Sequence, residues 1–236
     1  MPTAAVPAEE IHPSLWRASQ LARGRGRVLE TGYPALSAEL PDGGWPVGAL
    51  IDLLVQQPGV GEIRLLGPVL SVAGKRPIAL LQPPHMPNGL GLGYIGLPLE
   101  RLLHVKTRGA ADALWSAEQI LRTGSCGALI FWAQHVKSSS LRRLHLAAQS
   151  SETLFVMIGP LAAAQDSSPA LLRLALRPAE DGLMVDIVKR RGPARADPLS
   201  VQLQPTPVLL SSRRRVARIP ATEADWKLRA IEAAGA

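Results

Sequence analysis

Five short apolar runs, at residues 49–55, 77–81, 102–105, 127–132 and 153–158, are separated by stretches at 63–73, 109–123 and 138–149 whose apolar residues recur at helical spacing. Apolar runs of this length bounded by turn residues read as strands buried on both faces. Strands that alternate with helices imply a mostly parallel sheet, because the crossover between parallel neighbours needs the length of a helix and puts that helix on a face. The expected fold is therefore α/β, which excludes an all-helical bundle and an all-β sandwich. After Ser168 the pattern changes. Runs at 171–177 and 183–190 flank Pro178-Ala179-Glu180-Asp181-Gly182, and 199–203 supplies a third. Asp-Gly between two such runs marks a hairpin, so antiparallel strands are expected at the sheet edge.

The ends differ from this middle. Residues 13–22 carry a short helical pattern containing Trp16, which Gly24-Arg25-Gly26-Arg27 interrupts. From Pro205 onward, prolines and the Arg213-Arg214-Arg215 run leave no sustained apolar period. Thr222 and Asp225 then begin a helix at 223–233 that contains Trp226, with capping-box spacing but Asp in place of Glu or Gln. The expected organisation is an N-terminal helix and linker at 1–28, one domain at 29–204 and a basic tail at 205–236, with both termini flexible.

Composition supports a single core: 47% of the 236 residues are apolar and 19% charged, enough to bury a domain and unlike a disordered chain. No apolar run reaches the roughly 20 residues of a membrane span, and Glu9 and Glu10 sit where a signal peptide would be apolar. A cytoplasmic protein is expected. Cys126 is the only cysteine and no Cys/His cluster has metal-ligand spacing, so neither a disulfide nor a metal or other cofactor is expected.

The net charge of +7 is localised. Between 189 and 218 stand Lys189, Arg190, Arg191, Arg195, Arg213, Arg214, Arg215 and Arg218 against Asp197 alone, which accounts for the whole imbalance. Such a segment can meet nucleic-acid phosphates or an acidic protein surface, or remain solvated. It contains no aromatic residue on which a base would stack, so any DNA contact would be weak and non-specific. Trp16 and Trp226 are better placed to anchor a protein partner, the alternative being that both helices pack on the core.

Thr31-Gly32-Tyr33-Pro34-Ala35-Leu36 followed by Gly43-Gly44-Trp45-Pro46-Val47-Gly48 resembles the segment that leads into the core of RecA-like ATPases. The likeness runs in order through 77–103, 127–133 and 153–158 to Val188-Lys189-Arg190-Arg191, and so spans about 31–204. Those ATPases bind phosphate with G-x-x-x-x-G-K-[ST], whose amides cradle the phosphate while the lysine neutralises it and the hydroxyl holds Mg²⁺. The corresponding octet is Gln56-Gln57-Pro58-Gly59-Val60-Gly61-Glu62-Ile63. Gly61 survives, Glu62 replaces the lysine and Ile63 the hydroxyl. A charge pair at about 4 Å and an effective dielectric of about 20 is worth roughly 4 kcal/mol. Reversing its sign therefore removes about 8 kcal/mol, close to the entire free energy of micromolar binding. The metal-holding aspartate and the water-polarising glutamate are likewise replaced, by Ala133 and Pro84. These residues imply a RecA-like domain without ATPase chemistry, hence not an enzyme.

Among such proteins, His12-Pro13-Ser14-Leu15-Trp16-Arg17, the 47–54 segment and Leu141-Arg142-Arg143-Leu144-His145-Leu146-Ala147-Ala148-Gln149 resemble the ImuA family, accessory factors of SOS-induced translesion DNA synthesis, and more distantly the SulA cell-division inhibitors. The first resemblance implies mutagenic DNA-damage tolerance through protein contacts. Its partners would be ImuB, a catalytically dead Y-family polymerase relative, an error-prone DNA polymerase III alpha-type subunit, and RecA. The second implies an inhibitor that binds FtsZ, and a divergent ATPase is a third reading. Of the remaining candidates, His104 and His145 read as core or helix-face residues. His85 and His135 follow strand ends, where α/β ligand sites gather, but with no acidic partner or nucleophile motif near them in sequence they read as structural. The Asn88-Gly89-Leu90-Gly91-Leu92-Gly93 stretch reads as a flexible loop before a short helix.

Overall fold

The computed structural model describes residues 27–72, 75–192, 195 and 197–203. The chain divides into two compact units, Met1–Pro205 and Thr206–Ala236. The expected helices at 13–22 and 223–233, with Trp16, Trp226, Arg213, Arg214, Arg215 and Arg218, lie outside the described residues.

The architecture is a mixed α/β sheet of eight strands with helices on both faces, plus a separate two-stranded antiparallel sheet. In chain order the elements are β1 (Val28–Glu30), α1 (Pro34–Glu39), β2 (Gly44–Pro46), β3 (Leu50–Val55), α2 (Glu62–Val72), β4 (Ile78–Leu81), α3 (Gly89–Tyr94) and β5 (Leu102–Val105). They continue with α4 (Ala110–Thr123), β6 (Ala128–Trp132), α5 (Ser138–Gln149), β7 (Leu154–Pro160), β8 (Leu172–Ala179), β9 (Gly182–Lys189) and β10 (Leu199–Gln202). The order across the large sheet is β10-β9-β8-β3-β7-β6-β4-β5. Pairing is parallel from β8 through β5 and antiparallel at β8–β9 and β9–β10, so the expected edge hairpin is present.

Period-two alternation builds the two cores. Leu154, Val156 and Ile158 of β7 face the layer that contains Leu65, Leu66, Val69 and Leu70 of α2, while Phe155 and Met157 face Ala113, Ala117 and Leu121 of α4 and Leu141 and Leu144 of α5. β3, β4, β6 and β7 follow this rule with one buried polar residue among them, Asp52 on β3, and β8 carries a second, Arg173. Glu118, nearly buried on α4, ties the second layer together by pairing with Arg122 and with Arg143 of α5, each at 2.8 Å.

The segment before the sheet explains a proline inside α2. Pro68 has no N–H to donate to the Arg64 carbonyl one turn earlier. The Tyr33 hydroxyl donates to that oxygen instead, at 3.0 Å. The chain approaches so closely that a Cβ on Gly32, whose φ is +79°, would stand 2.3 Å from the Pro68 Cβ. Thr-Gly-Tyr therefore clamps the helix that begins at the loop after β3.

Three expectations are corrected. The glycine-rich stretch is not a loop: Gly89–Tyr94 is itself a helical turn, begun by the Asn88 side chain, which accepts from the Gly91 N–H at 3.2 Å. His104 is exposed on the outermost strand β5 rather than in a core. The first part of the basic segment is bound to the domain. Arg190 pairs with Glu39 at 2.8 Å, Arg195 pairs with the same carboxylate, and the Lys189 ammonium donates to the Ser168 carbonyl at 2.8 Å.

Candidate functional site

The loop after β3 turns through Gly59 (φ +91°) and Gly61 (φ +122°), conformations open to glycine and strained for other residues. This turn points the Gly59 and Gly61 amides inward, an arrangement that forms an anion-binding concavity. The concavity is filled by the chain itself. Glu62, only 3% exposed at the first turn of α2, accepts from the Gly59 N–H at 2.8 Å through Oε1 and from the Gly61 N–H at 3.1 Å through Oε2. A carboxylate also suits the positive end of a helix. Ile63 packs against the apolar layer under α2. The residue that gives the loop its negative charge thus also occupies the place its amides create.

Beside the loop, at the C-terminal ends of the parallel strands, lies a cleft of about 680 Å³. Its walls come from Val55, Gln56 and Pro58 after β3, Gln82, Pro83 and Pro84 after β4, Trp132, Ala133, Gln134 and His135 at the end of β6, and Arg108, Gly109 and Ala110 at the start of α4. The structure therefore brings Pro84 and Ala133 together in one cleft. Gly61, Glu62 and Ile63 are not among its lining residues. Gln82 holds a positive φ of 53° and clamps the neighbouring strand exit through its amide, which accepts from the Thr107 N–H at 3.1 Å and donates to the Thr107 carbonyl at 3.3 Å. The other polar groups of the cleft have no such partners. Among the described residues Arg108, His135, Gln134 and Gln56 make no hydrogen bond or ion pair, and the buried Nε1 of Trp132 has no acceptor.

A second cavity of about 680 Å³, sharing Ala133 to Val136 with the first, has at its base the buried pair of Asp52 and Arg173. Arg173 Nε donates to Asp52 Oδ2 at 3.0 Å, and the Ser168 hydroxyl donates to the same oxygen at 2.7 Å. The guanidinium also donates to the carbonyls of Ala163, Ala164 and Asp166, fixing the turn at Leu161–Gln165. Burial pushes the Asp52 carboxyl above its usual value, while Ser168, then Arg173, pull it back. Nearby, the Leu50 N–H donates to His145 Nδ1 at 3.3 Å. Burial, followed by the Lys189 charge, lowers the His145 pKa and favours the neutral ring that can accept this bond. Sequence reading passed over Asp52 and Arg173, which stand 121 residues apart and carry no motif.

No metal-holding group of His, Cys, Asp or Glu occurs among the described residues, and within them no helix is long and apolar enough to cross a membrane. No family model matches the chain. Over 76 residues it is 27% identical to the cell division inhibitor SulA of Edwardsiella piscicida, a match that covers 32% of this chain and 45% of that protein. The chain thus matches less than half the length of that relative. Among solved structures, SulA from Pseudomonas aeruginosa aligns with 46% of this chain and 98% of its own at 25% identity, with a TM-score of 0.38.

Proposed function

We propose that this protein is a RecA-like domain that has exchanged nucleotide chemistry for protein contact and acts as an accessory factor in the bacterial response to DNA damage. The observation that carries the reading is the Glu62 carboxylate held by the Gly59 and Gly61 amides. A phosphate at that position would meet an anion and lose both donors. Ala133 and Pro84 at the neighbouring cleft offer no ligand for Mg²⁺ and no group to polarise water. The similarity to a cell division inhibitor over 76 residues supports a place among SOS-linked proteins that work by binding. Within that class, the resemblance to ImuA supports a role in translesion synthesis, with ImuB, the error-prone polymerase and RecA as the proposed partners.

Calorimetry with Mg²⁺-ATP should give no binding heat. Low-micromolar binding abolished by changes in the 56–63 loop would overturn the loss of nucleotide chemistry. A pull-down with the whole chain against purified ImuB, RecA and FtsZ tests the partner class, with retention of ImuB expected. The division-inhibitor reading is favoured by the SulA similarity. It requires retention of FtsZ, and expressing cells that filament without ImuB.

A further inference from the structure

Helices α4 and α5 lie side by side over one face of the sheet and are joined across their outer surface by Glu118, which pairs with Arg122 of its own helix and Arg143 of the other. The outward side of a surface helix is ordinarily polar. Here it carries two large apolar residues. Trp115 stands one turn before Glu118 and is 62% exposed, and Leu146 stands one turn after Arg143 and is 65% exposed. Residues three apart are neighbours on a helix surface, so both side chains border the ion cluster, one from each helix. The other tryptophans among the described residues are inside, Trp45 fully and Trp132 in part, which sets Trp115 apart. The charge around the two residues is one-sided. Arg122, Arg142 and Arg143 are exposed, and Arg142 makes no hydrogen bond or ion pair among the described residues. The acidic residues of the two helices are Asp112, in the first turn of α4, and Glu118, which is nearly buried. The face offers side chains only, because the amides and carbonyls of a helix are spent within it. An occupant must therefore satisfy its own backbone, which a helix does and an extended segment does not. A second copy of the chain in a twofold contact would set these guanidiniums against one another.

We infer that the outer face of α4 and α5 docks an acidic amphipathic helix of a partner protein, with Trp115 and Leu146 covered by its apolar stripe and Arg122, Arg142 and Arg143 met by its carboxylates. Tryptophan and arginine are enriched among the residues that carry interface energy, and a rim of one charge steers a partner of the other. The inference rests on the reading of the chain as a protein-binding domain and gives that reading a surface.

The test is a titration of the ¹⁵N-labelled full chain with a synthetic amphipathic helix, leucine along one face and glutamate on the other, following the five tryptophan indole resonances. Saturable movement of the Trp115 indole is expected, and none with the same peptide carrying lysine in place of glutamate. Arg142→Glu and, separately, Leu146→Glu should each weaken binding about tenfold or more. Lys75→Glu, the same charge change beyond the end of α2, should leave it unaltered. All three positions are exposed, so melting curves of the variants should match that of the parent. No saturable movement, equal binding of the lysine peptide, or binding that survives both Arg142→Glu and Leu146→Glu would overturn the inference. So would saturable movement of the same indole by oligothymidylate, which would make the face a nucleic-acid surface. In a pull-down against ImuB, RecA and FtsZ, a partner retained equally by the parent and by Leu146→Glu would overturn the inference and leave the protein-binding reading in place. Retention of none by a parent that binds the peptide would overturn the choice of partners while the face stands.

Discussion

The loop at 56–62 and the cleft next to it are both made of groups that attract anions, and the protein treats them in opposite ways. In the loop it provides the anion, placing Glu62 on two inward amides. In the cleft it provides none, leaving Arg108 without a partner among the described residues. The buried Asp52–Arg173 pair resembles the loop in this respect, with each charge answered within the domain. Where a polar group is satisfied internally, its removal should cost stability. Where it is not, its removal should leave stability unchanged.

The largest expected effect tests the first half of that rule at its deepest point. Asp52→Ala leaves a guanidinium 5% exposed with backbone carbonyls as its only acceptors. Breaking one partner from a buried ion pair costs about 3–5 kcal/mol. Urea unfolding should show a loss of that size, and a loss under about 1 kcal/mol would mean that the pair does not hold the sheet to the turn after β7. Glu62→Ala should come next. It removes two hydrogen bonds to a buried carboxylate, and bonds to charged groups are worth about 1.5–3 kcal/mol. A stabilised variant would show that Glu62 is strained in the loop rather than seated there.

A smaller effect is visible only in acid. The His145 pKa is depressed in the folded state, so below the ordinary value of 6.5 the unfolded chain binds more protons and stability falls as the pH is lowered toward the folded pKa. His145→Gln should flatten that part of the stability–pH curve. An unchanged slope would assign the acid sensitivity to other groups. Smallest of all should be Arg108→Glu, a surface change within about 0.5 kcal/mol of the parent in stability, because no internal contact is lost. A destabilisation of several kcal/mol would erase the contrast between cleft and loop.

The sheet was legible in the sequence because buried strands announce themselves by continuous apolar runs, and β3 to β9 follow those runs to within a few residues. The small β1–β2 sheet was not. Each strand has three residues, one of them containing Gly44 and Pro46, both poor strand formers. In the sequence α3 looks like a loop because three of its six residues are glycine, and the Asn88 cap that begins it has no periodic signal behind it. At the candidate site, the departures at Glu62, Ile63, Pro84 and Ala133 from the pattern the chain resembles could be read residue by residue. What Glu62 does could not, since only folding shows that its carboxylate turns back onto the amides of its own loop. Arg108 was invisible for another reason. It stands 24 residues from Pro84 and 25 from Ala133 in sequence, and they meet only because the sheet order sets β4 beside β6.

The central claim is that the concavity formed by the amides of the 56–62 loop is occupied by the chain's own carboxylate. The most direct measurement is a titration of the ¹⁵N-labelled protein with Mg²⁺-ATP that follows the Gly59 and Gly61 backbone amides. The account predicts that both resonances stay where they are in the parent, held by Glu62, and move on Glu62→Gln even without nucleotide as the carboxylate charge is removed. Saturable movement of both amides by micromolar ATP in the parent protein would contradict it.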